Sequence, residues 1–262
     1  MLLENKTILV AGAAGLLGSH VVEELLKHGA KVIATDVSQE LVAQRLSALG
    51  LNIDTDTDTN TDSADVKCQA LNLLDEKGVR YFFQSINTLD GAVNCSYPRN
   101  KAYGKHFYDV DLANFNENVS LHLGSAFLFT QQCAAYFEKN QAPLSVVNMS
   151  SIYGVVAPKF DVYDNTQMTT PVEYAAIKSA IQHISRYTTA YVNNSDFRVN
   201  CVSPGGILDG QPTDFVNAYR AHTQGKGMLE AKDVVGPIVY LLSDLSAHMT
   251  GQNLVLDDGF TL

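Results

Sequence analysis

The chain has 262 residues, 46% of them hydrophobic, enough apolar material for one large α/β domain or two small ones. Its formal net charge of −10 and pI near 5.0 weigh against nucleic acid or an anionic membrane as a partner, because both would repel it. No run reaches the roughly 18 apolar residues of a membrane helix. The opening "MLLENKTILVAG" lacks a basic segment followed by a long apolar one, so a cytoplasmic protein is expected. Four cysteines, Cys68, Cys95, Cys133 and Cys201, have no CxxC spacing, which predicts reduced buried thiols and no metal site.

In chain order, short β-branched runs alternate with longer helical patterns. "KTILVAG" reads as a strand and "LLGSHVVEELLKHG" as an amphipathic helix. Then come strand "KVIATD", helix "SQELVAQRLSALG", strand "DVKCQALN", helix "KGVRYFFQSI" and strand "LDGAVNCS". Helix "FNENVSLHLGSAFLFTQQCAAYFEK", strand "LSVVNMSS", helix "VEYAAIKSAIQHISRYTTAYV" and strand "FRVNCVSP" continue the pattern, and helix "AKDVVGPIVYLLS" precedes strand "NLVLDD". Continuous apolar strands between helices predict one domain over residues 1–262, a doubly wound parallel β-sheet with helices on both faces and ligands at the carboxyl ends of its strands. Two stretches fall outside the pattern. The acidic "DTDTDTNTDSAD" (54–65) reads as a solvated loop, since the turn glycine and terminal glutamate of a calcium loop are missing. The other is the polar interval "VVAPKFDVYDNTQMTT" (155–170).

"VAGAAGLLGSH" sets Gly12, Gly15 and Gly18 at the junction of the first strand and first helix, with Leu16 and Leu17 between them. Glycines there let the backbone approach a pyrophosphate, whose charge the free N–H groups of the helix start can bind. Asp36 ends the second strand, where an acidic side chain can bond an adenosine ribose and repel a 2′-phosphate, so NAD(H) is expected over NADP(H). Its spacing to Gln39 also fits a capping box, the alternative reading.

"TPVEYAAIK" opens another helix: Thr170 as cap, Pro171 at the first helical position and Glu173 closing a capping box. Tyr174 and Lys178 then lie one turn apart on one face. A phenol titrates too high for acid–base work at neutral pH, and a neighbouring ammonium would lower it. Ser151, ending the strand "LSVVNMSS", would sit at the carboxyl edge of the sheet, within reach of a substrate oxygen. A second pair with this spacing, Tyr97 and Lys101 in "YPRNKAYG", is broken up by Pro98 and Gly104 and is not expected to share a face.

The glycine turn, "VNCS", "NMSS", "YAAIK", "RVNCVSPGG" and "TGQNLVLDDG", in this order, resemble the short-chain dehydrogenase/reductase family over essentially the whole chain. The resemblance implies a Rossmann-type fold and an NAD(H)-dependent oxidoreductase interconverting a secondary alcohol and a ketone. It implies Ser151, Tyr174 and Lys178 as catalytic residues. On the cofactor side it implies Asn94, Pro204, Gly205 and Ile207, with Asn72 and Leu73 beside the adenine. Tyr174 and Lys178 would also touch the cofactor. It further implies a homo-oligomer, dimer or tetramer, and the apolar "GFTL" terminus is consistent with an interface.

The chain departs from the family in three ways. The glycines read GxxGxxG, as in sugar-nucleotide-modifying members. Asn72 stands where an aspartate is usual. His122, in "LHLGSAF", stands where an asparagine relays protons; it is either a relay itself or a core histidine.

The run from "NMSSIYGVV" to "YAAIKSAI" is also similar to short-chain dehydrogenases found with bacterial flagellin-modification and surface-glycan genes. The interval 155–170 is a substrate-side insertion on this reading. Its Lys159, Asp161, Tyr163, Asp164, Asn165, Thr166 and Gln167 suit a hydroxylated small molecule, and Arg99, Lys101, Lys105 and His106 after the fourth strand could hold a phosphate. A sugar or sugar phosphate is the expected substrate. The alternatives are an epimerase or dehydratase with internal NAD cycling, and a non-catalytic dinucleotide-binding regulator.

Overall fold

In the computed structural model, residues 1–51, 53 and 65–262 are described. The acidic stretch 54–65 therefore lies outside them except for Asp65. Seven strands form the sheet: β1 (Thr7–Ala11), β2 (Lys31–Asp36), β3 (Val66–Ala70), β4 (Gly91–Asn94), β5 (Leu144–Met149), β6 (Phe197–Pro204) and β7 (Asn253–Leu256). The helices are α1 (Leu16–Lys27), α2 (Gln39–Ala48), α3 (Glu76–Ser85), α4 (Leu112–Asn118), α5 (Gly124–Asn140), α6 (Val172–Val192), α7 (Thr213–Ala221) and α8 (Ala231–Leu242). The strand order is β3-β2-β1-β4-β5-β6-β7 and every pairing is parallel. The order reverses between β1 and β4, whose Val10 and Val93 are partners, and the fold opens a crevice at that switch point.

β1 shows why its sequence is apolar throughout. Ile8 and Val10 face Val21, Val22 and Leu25 of α1 and Ile238 of α8. Leu9 and Ala11 face Val79 and Phe83 of α3 and Phe129 and Cys133 of α5. With both faces covered, the strand has no solvent side on which a polar residue would be tolerated. Strand β6 is also buried from Phe197 to Pro204, and its polar Arg198, Asn200 and Ser203 are each hydrogen-bonded within the fold.

Three helices start on side-chain caps, where the oxygens of Ser38, Asp75 and Asp111 accept from the backbone N–H groups of Leu41, Gly78 and Asn114. Helix α6 starts differently from its predicted capping box. Pro171 is the cap, with no side-chain hydrogen bond, Thr170 Oγ1 is 2.7 Å from the Tyr163 hydroxyl, and Glu173 turns inward to accept from Asn118 Nδ2 at 3.1 Å. The segment read as one long helix after β4 is two helices joined by a π-helical turn, Val119–Leu123. Helix α7 went unpredicted, though its buried Phe215 and Tyr219 stand four apart.

The C-terminus also departs from expectation. Phe260 is fully buried in its own chain, stacked on Tyr219 at 4.3 Å between ring centroids. The Lys159 ammonium lies over the Phe260 ring, 4.7 Å from its centroid, and donates to the Phe260 carbonyl at 2.7 Å. The "GFTL" terminus is thus committed to a small core with Ile152, Val162, Phe215 and Met228 rather than offered whole to a partner.

Candidate active site

A groove of about 540 Å³ runs along the carboxyl ends of β1, β2 and β4. Gly12, with φ at 81°, passes so close to the β4 loop that a Cβ would lie 2.8 Å from the backbone of Cys95. A Cβ on Gly18 would lie 2.1 Å from the Gly12 carbonyl oxygen. The turn therefore admits no side chain at either position. The start of α1 at Gly15 has no side-chain cap, so its N–H groups face the groove free to bind an anion.

Gly12, Gly15, Leu16, Leu17, Gly18, Asp36, Asn72 and Leu73 all line this groove, as the sequence predicts. Asp36 Oδ2 accepts from the Ala14 N–H at 3.1 Å and Oδ1 from Val37 at 2.8 Å, which orients the carboxylate beside the glycine turn. Ser38 caps α2, and the capping alternative for Asp36 falls. Asn94 is buried just behind the groove, where its Oδ1 accepts from Ser96 N and Oγ at 3.1 and 2.6 Å. Pro204 ends β6, Gly205 and Ile207 follow it, and none of the three is among the lining residues; from their loop, Asp209 reaches it.

Ser151 follows β5 and caps a short 3-10 turn, accepting from Tyr153 N at 3.2 Å. Tyr174 and Lys178 share the inner face of α6, with the ammonium 5.6 Å from the Tyr174 ring. Lys178 is buried and donates to the Met149 carbonyl at 2.8 Å. His122, also buried, projects from the π turn so that its Nε2 is 3.4 Å from Lys178 Nζ. π-turns recur at functional sites because they rotate one side chain out of the regular helical register. The four residues the sequence nominates as catalytic are thus gathered at one place.

Their protonation follows from burial. Lys178 is pushed down to about 8, chiefly by desolvation, with a small opposing effect from Cys95 and Cys201. His122 is pushed down to about 2 by desolvation and then by the positive charges of Lys178 and Arg99, so its ring is neutral. A donating ammonium at Nε2 leaves the imidazole hydrogen on Nδ1, which has no hydrogen-bond partner. Tyr174 is shifted upward by burial, opposed by its hydrogen bond with Ser151. This differs from the expected depression by Lys178: in the protein alone, the cost of burying a phenolate outweighs its neighbours.

Sequence reasoning named Tyr163 but missed Tyr97, Tyr103 and Tyr153. Tyr97, set aside as half of an unproductive pair, lies at the centre of the site. Its ring is 5.7 Å from Tyr174, 4.8 Å from His122 and 5.6 Å from the Lys178 ammonium. It is also 5.7 Å from Tyr103, with the two hydroxyls hydrogen-bonded. Tyr153 and Tyr163, with hydroxyls 3.3 Å apart, both interact electrostatically with Tyr174. The available signal was position, since Tyr97 stands three residues past Asn94 at the carboxyl end of β4.

The polar residues of the interval 155–170 are largely occupied within the fold. Lys159 is held by Phe260, Asp161 pairs with His222 at 2.9 Å, and Thr166 bonds to the Tyr163 carbonyl at 2.8 Å. Of the cations after β4, Lys105 pairs with Asp111 at 3.2 Å, whereas Arg99 enters the groove.

The depressed lysine has a thermodynamic signature. Below about pH 8 the folded state holds a buried ammonium that the unfolded state holds in water, a cost of about 3 kcal/mol. Between pH 8 and 10.5 the unfolded chain binds the extra proton, so this cost disappears as pH rises. Thermal unfolding should therefore show the Tm of Lys178→Met, relative to wild type, falling between about pH 7 and about pH 10. A pH-independent difference would contradict a depressed Lys178.

Comparison with known proteins agrees with this geometry. A family model described as enoyl-(acyl carrier protein) reductase matches residues 12–261. Flagellin modification protein A of Campylobacter coli is 37% identical over the full length of both chains. The 7alpha-hydroxysteroid dehydrogenase of Bacteroides fragilis is 24% identical over 99% of this chain and 95% of its own. Among solved structures, a short chain dehydrogenase from Leptospira borgpetersenii with bound NAD+ superposes with a TM-score of 0.82 at 29% identity, covering 99% of this chain and 94% of that one. The chain belongs to the short-chain dehydrogenase/reductase family.

Proposed function

We propose that the protein is an NAD(H)-dependent oxidoreductase that interconverts a secondary alcohol and a ketone on a polar, sugar-like substrate. The observation that carries this reading is the Tyr174–Lys178 pair, set beside Ser151 at the carboxyl edge of the sheet and next to a groove built for a dinucleotide. The glycine turn fits a pyrophosphate because it has no side chains and leaves free N–H groups at α1. The Leptospira relative, with its bound NAD+, supports the cofactor class.

When bound, the nicotinamide supplies or accepts the hydride. The chain's own residues manage the proton and the substrate oxygen. Ser151 donates a hydrogen bond to that oxygen and orients it toward the Tyr174 hydroxyl. In the reducing direction Tyr174 gives its proton to the oxygen as negative charge develops there. Lys178, close to neutrality in its affinity for a proton, restores that proton to the tyrosine, and the neutral His122 accepts a hydrogen bond from it. In the oxidising direction the same groups take the proton away.

Tyrosines 97, 153 and 163 around Tyr174 offer apolar ring faces and hydroxyls together, the combination that a hydroxylated ring uses. The Campylobacter relative, named for flagellin modification, supports a role in building a surface glycan. Exposed Phe127 on α5 and the stacked, exposed Tyr187 and Tyr191 on α6 support a homo-oligomer closed through these helices.

Three outcomes are expected. Tyr174→Phe should keep NADH binding yet lose about 100-fold or more of kcat on a sugar or sugar-phosphate alcohol, followed by NADH absorbance; unchanged turnover would remove Tyr174 from the chemistry. Wild type should bind NADH at least about tenfold more tightly than NADPH in fluorescence titration, with Asp36→Ser narrowing the gap; equal affinities in wild type would refute the preference. Sedimentation should show a dimer or tetramer that Tyr187→Asp with Tyr191→Asp dissociates, and a monomeric wild type would end that proposal.

A further inference from the structure

Of the four cationic residues after β4 that the sequence offers for a phosphate, Arg99 occupies a distinctive place. Among the described residues lining the groove it is the only lysine or arginine, in a lining that also holds Asp36 and Asp209. Its guanidinium carbon lies 4.8 Å from the centroid of the Tyr97 ring. Such stacking holds the planar fork in one orientation and leaves its edge N–H groups free. Three nearby cations are already engaged: Lys105 with Asp111, Lys159 with the Phe260 carbonyl, Lys178 with the Met149 carbonyl. Arg99 has no acceptor among the described residues. Arg45, Arg186 and Arg198, by contrast, each donate to a hydroxyl or a backbone carbonyl of the fold.

Its position relative to the reacting group is equally specific. One ring, Tyr97, separates the guanidinium from Tyr174, since that ring contacts both. A sugar whose reacting carbon lies at Tyr174 would carry a substituent at its far end toward Arg99.

We propose that Arg99 seats an anionic group of the substrate, a phosphate or carboxylate held by the two-pronged edge of the guanidinium, and so selects an acidic sugar derivative over the neutral sugar. This rests on the oxidoreductase reading for the placement of the reacting carbon. The same chemistry would also suit the cofactor's own pyrophosphate, and the test separates the two.

Inorganic phosphate is titrated calorimetrically into NADH-saturated wild type, Arg99→Met, Arg99→Lys and Tyr174→Phe, after the NADH affinity of each has been measured. Arg99 is exposed, so its replacement leaves the core intact. The expected result is saturable phosphate binding to wild type and Tyr174→Phe, weakened about tenfold or more in Arg99→Met and partly restored in Arg99→Lys, with NADH affinity unchanged. Phosphate binding that is absent in wild type, or equal in Arg99→Met, overturns the proposal. A loss of NADH affinity in Arg99→Met also overturns it, assigning the residue to the pyrophosphate. If wild type fails to bind NADH, the dinucleotide reading fails by itself, and the same phosphate titrations on the free protein still decide whether Arg99 seats an anion.

Discussion

A lysine ammonium in the protein interior is the constraint on which the site turns. Lys178 has left water for a place where a single carbonyl, that of Met149, accepts its hydrogen bond and an imidazole nitrogen stands slightly farther off. Burying such a charge is expensive unless the surroundings compensate. Here the compensation is partial, so the proton is held loosely. The neutral state of His122 belongs to the same constraint, because a second cation beside Lys178 would be untenable. The aromatic faces of Tyr97 and Tyr174, both 5.6 Å from the ammonium, offer it the soft electrostatic contact that fits a dry site.

The scaffold that imposes this burial was largely legible in the residues. Strands such as "ILVA" and "GAV" are apolar because both of their faces are covered, and a series of such runs between helices admits few other folds. The glycine turn, Asp36 and Ser151 were legible because each stands at the carboxyl end of a strand, and Tyr174 and Lys178 because they stand one turn apart near the start of a helix opened by a proline. What escaped detection lacked such a local signature. Tyr97 follows a strand end but sits in a loop whose course depends on tertiary contacts, including Asn100 N–H to Asn118 Oδ1 at 3.0 Å. The π turn at Val119–Leu123 adds one residue to a helical repeat, and periodicity over a long apolar segment does not register it.

The cap of α6 misled for a physical reason. "TPVEY" satisfies the spacing rule for a capping box, but Glu173 has a stronger claim on it, the buried amide of Asn118. That contact fastens the first turn of α6, and with it Tyr174, to the end of α4 just before the π turn that carries His122. A local rule yields here to a long-range contact that positions two of the site's side chains together.

The buried Phe260 bears on how the protein is made. The wall beside Tyr174 is assembled from segments far apart in the chain: Tyr153 and the 3-10 turn at Phe160–Tyr163, helix α7, and a phenylalanine third from the end. During synthesis β1 to β5 are made before any of α7 or Phe260. The nucleotide-binding half can therefore take shape on the nascent chain, while the wall beside Tyr174 waits for segments translated well after it.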